Sequence, residues 1–322
     1  MTGPPTETVP LPPSEPPRSL LDGIRHWTTS TPMRALVDAF GGKVPDMETG
    51  DLLRWLDGFS AEHWDFRRGA ERSAAVQWEP PPEVGTIITH AAWALGMVDP
   101  AAPSRADYDH LLVLGGLTPS CRQRMAYAAS LIADGLQVGE VAALGSFRPC
   151  IPIELVQLAA TDARFEVDAL DFGVREAFGL DRPLQRHSSG NPPEWQAWRH
   201  DTYRTQEQRP IHVLAAPSSD PGRRAITADT YEFWADRLRI VPGASVLIVT
   251  TPLYVPFQHC DAIRILGRHA GCSVETIGFD RTRIPVGLRT ERGDPGRHLQ
   301  EVRSAIRSMR NLHDATSSPA AS

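Results

Sequence analysis

Five short aliphatic runs recur through the last two-thirds of the chain: Tyr108–Leu114, Val138–Leu144, Ile211–Ala216, Ser245–Thr250 and Ser273–Ile277. Most of them are apolar at consecutive positions rather than at alternate ones, the pattern of strands covered on both faces. Helical spacing fills the gaps between them, over Ser120–Ala133, Pro152–Ala160, Asp168–Phe178, Thr227–Leu238 and Val255–Arg268. Strands that alternate with helices imply a parallel sheet with helices on both sides. The expected fold is α/β and Rossmann-like, with a mainly parallel sheet of about five strands, flanking helices and an added N-terminal helical region.

The rest of the chain divides by texture. Residues 1–19 hold seven prolines and few large apolar side chains, so a solvated tail is expected there. Over 20–105 the apolar residues fall at helical spacing, as in Met33, Leu36, Val37 and Phe40, or Leu52, Leu53, Leu56 and Phe59, which predicts about four helices. The Rossmann-like domain is expected over 106–285, a basic segment with a closing helix over 286–312, and a frayed tail over 313–322. The stretch 179–209 is turn-rich and reads as either a lid or disorder, with a helix at most around Trp195–Gln206.

Charge and cysteine content narrow the function classes. The chain of 322 residues has a net charge of −6, which lacks the broad basic footprint of a nucleic-acid binder. Positive charge gathers locally, since residues 281–310 carry eight arginines against Glu291, Asp294 and Glu301. Cys121, Cys150, Cys260 and Cys272 are too sparse for a disulfide scaffold and too far apart for a CxxC metal motif, so no metal site is expected. The start has neither a basic n-region nor an apolar h-region, and no run is long enough to span a membrane. A cytoplasmic protein without membrane or nucleic-acid partners is the expectation.

In an open parallel sheet the ligand crevice lies beyond the carboxyl ends of the strands. Three loops qualify. The first is Gly115-Gly116 with Arg122 and Arg124 in the next helix, where glycines let a ligand approach the backbone and a helix start favours an anion. The second runs Ala216-Pro217-Ser218-Ser219 into Arg223-Arg224, with Thr227 as N-cap and Asp229 in the first helical turn. Arg224 is the residue that capping leaves unexplained; it either forks onto a phosphate or carboxylate, or pairs with Asp220 or Asp229. The third is Thr250-Thr251-Pro252 with Tyr254 and Gln258. Arg148 and Glu154 add a guanidinium and a carboxylate to the rim, and Asp229 and Glu154 are the candidate proton acceptors. Upstream, Arg67, Arg68 and Arg72 beside Trp64 and Phe66 form either a cationic, aromatic wall or a solvated, ion-paired helix. Neither GxGxxG nor a Walker-type loop is present.

The ordered set Asp109–Gly116, Arg124, Arg224–Thr230 and Val246–Thr250 resembles the YdcF-like family, which includes SanA- and ElyC-type proteins. The resemblance covers roughly 107–280 and implies a Rossmann-like domain with its site at the Gly-Gly loop and a link to S-adenosylmethionine. It departs from the family at Gln258, which stands about where an Arg is usual. Together these readings lead to a binder of a small anionic or adenosine-containing molecule, S-adenosylmethionine, a nucleotide or a phosphorylated metabolite, acting as a transferase of specialised metabolism. The alternative is a non-catalytic sensor or partner-binding module.

Overall fold

The computed structural model describes residues 7–66, 78–158, 162–192, 194–289 and 294–317. In chain order the first elements are α1 (Pro17–Thr28), α2 (Thr31–Ala39), α3 (Thr49–His63), α4 (Pro82–Ala94), β1 (Asp107–Leu114), α5 (Thr118–Ala133), β2 (Gln137–Gly145), α6 (Pro152–Gln157) and α7 (Glu166–Phe178). They are followed by β3 (Gln185–Ser189), β4 (Trp198–Arg204), β5 (Pro210–Ala215), α8 (Thr227–Leu238), β6 (Ser245–Thr250), α9 (Val255–Ala262), β7 (Ser273–Gly278) and α10 (Pro295–Ser317). The residues form two compact units, one of 1–100, 252–264 and 291–322, the other of 101–251 and 265–290.

The first unit is helical. In α1 the buried residues Leu20, Ile24, Trp27 and Thr28 recur every three or four positions, and Pro17 opens the helix where a missing N–H costs nothing. The closing helix α10 buries Leu299, Val302, Ile306, Met309 and Leu312 on the same spacing, and packs against α3 and α9. It runs past Leu312 to Ser317. Asp57 of α3 accepts Arg303 at 3.0 Å and Arg310 at 2.8 Å, pinning the two helices. Part of the proline-rich leader is packed rather than solvated. Val9 N donates to Ala94 O at 2.7 Å, Pro12 is buried, and the Pro12 carbonyl lies 2.9 Å from His259 Nε2. Helix α9, which the sequence assigns to the sheet domain, belongs to this unit.

The second unit is α/β, built on a seven-stranded sheet of order β3-β4-β5-β2-β1-β6-β7. Strands β5, β2, β1, β6 and β7 are mutually parallel and coincide with the five aliphatic runs. On one face Leu111, Val113, Val141, Ala143 and Val213 pack with Met125 and Ala128 of α5 and Val167, Leu170 and Val174 of α7. The alternate residues face α8, where the Trp234 ring meets the His110 ring at 5.2 Å.

Two strands exceed the expected five, and both come from 179–209. The stretch read as turns with a helix instead pairs β3 with β4 and β4 with β5, all antiparallel. Periodicity misleads here because the apolar residues are few. His200, Asp201 and Tyr203 are the buried positions of β4, and their polar groups are satisfied by specific partners rather than by an apolar stripe. Tyr203 donates to Asp171, and Asp201 takes Arg186 at 2.7 Å and Arg199 at 3.2 Å.

Candidate functional site

Because the central strands are parallel, the turns that follow β1, β2, β5 and β6 lie at one end of the sheet. From β1 the chain moves outward to β2, continues to the edge strand β3 and returns through β4 to β5; after β5 it crosses back through α8 to β6 on the other side of β1. The direction of travel therefore reverses between β1 and β6. Arg124 of α5, 1% exposed, spans that junction. Its NH1 donates to Leu114 O at 2.7 Å and Gly115 O at 2.5 Å, and its Nε and NH2 donate to Thr251 Oγ1 at 3.2 and 2.9 Å. Thr250, fully buried, ends β6, and its carbonyl accepts Phe279 N at 2.9 Å.

Glu154 sits where an anion would approach the start of α5. Its Oε1 accepts Thr118 N at 2.8 Å and Arg148 NH2 at 3.0 Å, while Oε2 accepts Ile151 N at 3.0 Å and Arg148 NH1 at 2.9 Å. The same guanidinium donates to Gly116 O at 2.8 Å. Burial pushes the Glu154 carboxyl up, but Arg148 and the backbone donors of Ile151 and Thr118 outweigh it and hold the group below the usual range. The protein thus supplies its own carboxylate to the positive end of α5.

The β5 loop is organised around Asp229 in a similar way. Oδ2 accepts Ile226 N at 2.7 Å and Arg223 NH1 at 2.6 Å, and Oδ1 accepts Ser219 N at 3.1 Å. Burial acts against ionisation, yet Arg223, Ser219 and Ile226 together bring the carboxyl down to about 2. Thr227 is the first helical residue of α8, not its N-cap; the capping acceptor is the Asp229 side chain. Ser218 Oγ accepts Asp220 N at 3.2 Å, and Ser219 Oγ accepts Arg223 NH2 at 2.9 Å. Glu154 and Asp229 are therefore pinned carboxylates held below their ordinary range, a poor starting point for a proton acceptor near neutral pH.

The other expected residues separate. Gly115, Gly116, Arg124, Ser218, Ser219, Arg224, Thr227 and Thr250 all belong to the α/β unit, whereas Tyr254 and Gln258 belong to the helical one. Tyr254 OH accepts Arg297 NH2 there, at 3.2 Å. Arg122 faces α7, where it grips Glu176 through Nε at 2.8 Å and NH2 at 2.5 Å, and lines a groove with Ala126, Ala129 and Ala177. Arg67, Arg68 and Arg72 lie outside the described residues.

Glu166, the first residue of α7, is the group that the sequence does not single out. Its Oε2 accepts Ser146 N at 3.1 Å and Ser146 Oγ at 2.7 Å, and its Oε1 lies 3.9 Å from Arg148 Nε. A Cβ on Gly115 would stand 2.9 Å from both Glu166 Oε1 and Leu144 O, and one on Gly145 2.6 Å from Leu170 Cδ1. Gly115 thus makes room for a carboxylate at the end of β1, while Gly145 makes room for Leu170. Burial pushes the Glu166 carboxyl up; Arg148, Ser146 and the half-buried Arg224 act in the opposite direction. The signal available in the sequence was Gly115 itself.

A second polar row crosses the face under α8. His110 Nδ1 lies 2.9 Å from Glu140 Oε1, Glu140 Oε2 3.6 Å from His212 Nε2, and His212 Nδ1 2.9 Å from His200 Nε2. Arg237 Nε donates to His200 Nδ1 at 3.3 Å, which places the proton of neutral His200 on Nε2. Burial first, then the charges of His212, Arg237 and His187, lower His200 from its ordinary 6.5 to about 4. The folded state thus keeps His200 neutral, and the unfolded chain takes up the proton first as pH falls. That contribution to stability is complete above pH 6.5 and is lost between pH 6.5 and about 4. Urea unfolding should show a loss of roughly 2–3 kcal/mol over that window, much reduced in His200→Gln. An equal pH slope in the two proteins would contradict this assignment.

A helical unit together with a seven-stranded, mainly parallel α/β unit, whose strand ends are crowded with guanidinium and carboxylate groups, defines the class: a two-unit α/β protein with a polar rim at the carboxyl ends of its strands. The chain belongs to the Rv3785 family. The family model for the Rv3785 N-terminal domain matches residues 12–96, the segment that carries α1 to α4. The uncharacterized proteins Rv3785 and MT3893 of Mycobacterium tuberculosis and Mb3814 of Mycobacterium bovis are each 32% identical over 322 residues, covering 91% of this chain and 89% of the relative. No solved structure matches. This membership overturns the YdcF-like resemblance, whose motifs are short pieces of a common strand-turn-helix pattern, and removes the support it lent to S-adenosylmethionine. Among the described residues no helix is long and apolar enough to cross a membrane, and no group of three or more His, Cys, Asp or Glu side chains is arranged to hold a metal ion.

Proposed function

We propose that the α/β unit is Rossmann-like and binds a small anionic or adenosine-containing molecule over the Gly115-Gly116 turn. The observation that carries this reading is the reversal of strand order between β1 and β6, the place where open α/β sheets form their ligand crevice. Counted among the parallel strands alone, the order is third, second, first, fourth, fifth, the order common to dinucleotide-binding sheets. The half-buried Arg224 supplies positive charge from the β5 loop, and Arg124 fixes the β1 and β6 turns that frame the crevice. Exchange of the Glu154 carboxylate for a ligand anion at α5 is not required, since Gly115, Gly116 and Arg224 lie on the rim outside that contact.

A thermal-shift panel of ATP, S-adenosylmethionine, ribose 5-phosphate and inorganic phosphate tests the reading. A ligand at a hundred times its Kd stabilises the native state by about 2.7 kcal/mol, a rise in melting temperature that is readily measured. Arg224→Ala is expected to weaken binding of the stabilising compound by about 1.5–3 kcal/mol without unfolding the unliganded protein. No shift with any compound of the panel overturns the reading; unchanged affinity in Arg224→Ala removes that residue from the site.

A further inference from the structure

Glu166 stands apart from the other carboxylates of the rim. Both oxygens of Glu154 and both of Asp229 are held by internal donors, and only one oxygen of Glu166 is. Oε2 is satisfied by Ser146 N and Oγ. Among the described residues Oε1 accepts no hydrogen bond, and its nearest cation is Arg148 Nε at 3.9 Å. The residue is only 9% exposed, but Oε1 is not sealed off and keeps an opening through which a partner can reach it. Oε1 points at the Gly115 turn, because it occupies the space that a Cβ there would fill. An open acceptor on a mostly buried carboxylate, reachable from the surface, is placed to complete its bonding with a ligand.

The surroundings decide which donor fits. Arg148 and Arg224 both act on Glu166 as positive neighbours, so an incoming ammonium would meet two guanidinium charges, whereas a neutral hydroxyl meets none of that repulsion. We infer that Glu166 Oε1 accepts a hydrogen bond from a hydroxyl group of the ligand lying over Gly115, which makes that ligand a hydroxyl-bearing molecule of the sugar or ribose type. This rests on the proposed function and deepens it. A side chain at Gly115 would crowd the hydroxyl's acceptor as well as the Leu144 carbonyl, and Ser146 orients the carboxylate by fixing its other oxygen.

The test is calorimetry on the intact protein with two pairs of probes, ATP against 2′,3′-dideoxy-ATP, and ribose 5-phosphate against 2-deoxyribose 5-phosphate. The hydroxyl-bearing member of at least one pair should bind roughly ten- to a hundredfold more tightly. In Glu166→Gln the one remaining oxygen is required by Ser146 N, which leaves the amide NH2 where Oε1 stood and turns an acceptor into a donor. The preference within the pair should then fall below about threefold, well under the loss expected for a charged hydrogen bond. If that variant does not fold, discrimination by the wild-type protein decides alone. Equal affinities within both pairs, failure of both hydroxyl-bearing probes to bind, or a preference retained in Glu166→Gln overturns the inference. Where inorganic phosphate or S-adenosylmethionine still stabilises the protein, only the inference falls; where nothing in the panel does, the proposed function falls with it.

Discussion

Glu154→Ala is expected to cost roughly 3–5 kcal/mol in urea unfolding, among the largest effects of any single substitution in the α/β unit. The carboxylate is fully buried, and its removal leaves the Arg148 guanidinium, whose side chain is 15% exposed, without its closest counter-charge. It also strands Thr118 N and Ile151 N, each of which donates to Glu154. The double variant Glu154→Ala with Arg148→Met should recover part of the loss, because it removes the orphaned charge together with its partner. A single-variant cost below about 1 kcal/mol, the range of a surface ion pair, would show that the cluster is solvated rather than buried.

The second large effect is expected at Arg124. Arg124→Met keeps the length of the side chain and loses every donor, so Leu114 O, Gly115 O and Thr251 Oγ1 are left without the bonds they receive from it. Unsatisfied buried acceptors cost about 1–3 kcal/mol each before relaxation, and a total near 3 kcal/mol is expected. Arg124→Lys is the informative companion. A point-like ammonium cannot reach two carbonyls on one side and a hydroxyl on the other, so the charge-conserving change should recover less than half of the loss. Full recovery in Arg124→Lys would mean that charge, not the planar spread of donors, holds the junction of β1 and β6.

What the sequence discloses follows from which physical terms are local. The five parallel strands announce themselves because burial on both faces demands consecutive aliphatic residues, and the crossing helices because their apolar stripes repeat at 3.6 residues. Strand β4 is hidden because its burial is polar: His200, Asp201 and Tyr203 lie inside only through partners on β5, α7 and β3 that no window of sequence contains. Helix α9 follows β6 directly, and nothing local says that His259 meets Pro12, some 247 positions away.

The site divides along the same line. Gly115-Gly116, Arg124 and the Arg223-Arg224 loop were recognisable as groups of unusual residues after aliphatic runs. Their pairings were not, because Arg223 rather than Arg224 takes Asp229, and Glu154 takes Arg148 and the start of α5. Glu166 escaped notice because an acidic residue in the first turn of a helix is ordinary. Only the close approach of its carboxylate to Gly115 sets it apart, and that contact joins residues 51 positions apart in the chain.

Amide hydrogen exchange of the intact protein, with and without the compound that raises its melting temperature most, locates the ligand most directly. Slower exchange should concentrate in Gly115–Ser120, Ala216–Arg224 and Thr250–Thr251, the turns at the carboxyl ends of β1, β5 and β6. Slower exchange confined to the α5–α7 groove beside Arg122 and Glu176, or to the helical unit, with these three turns unchanged, would contradict the account.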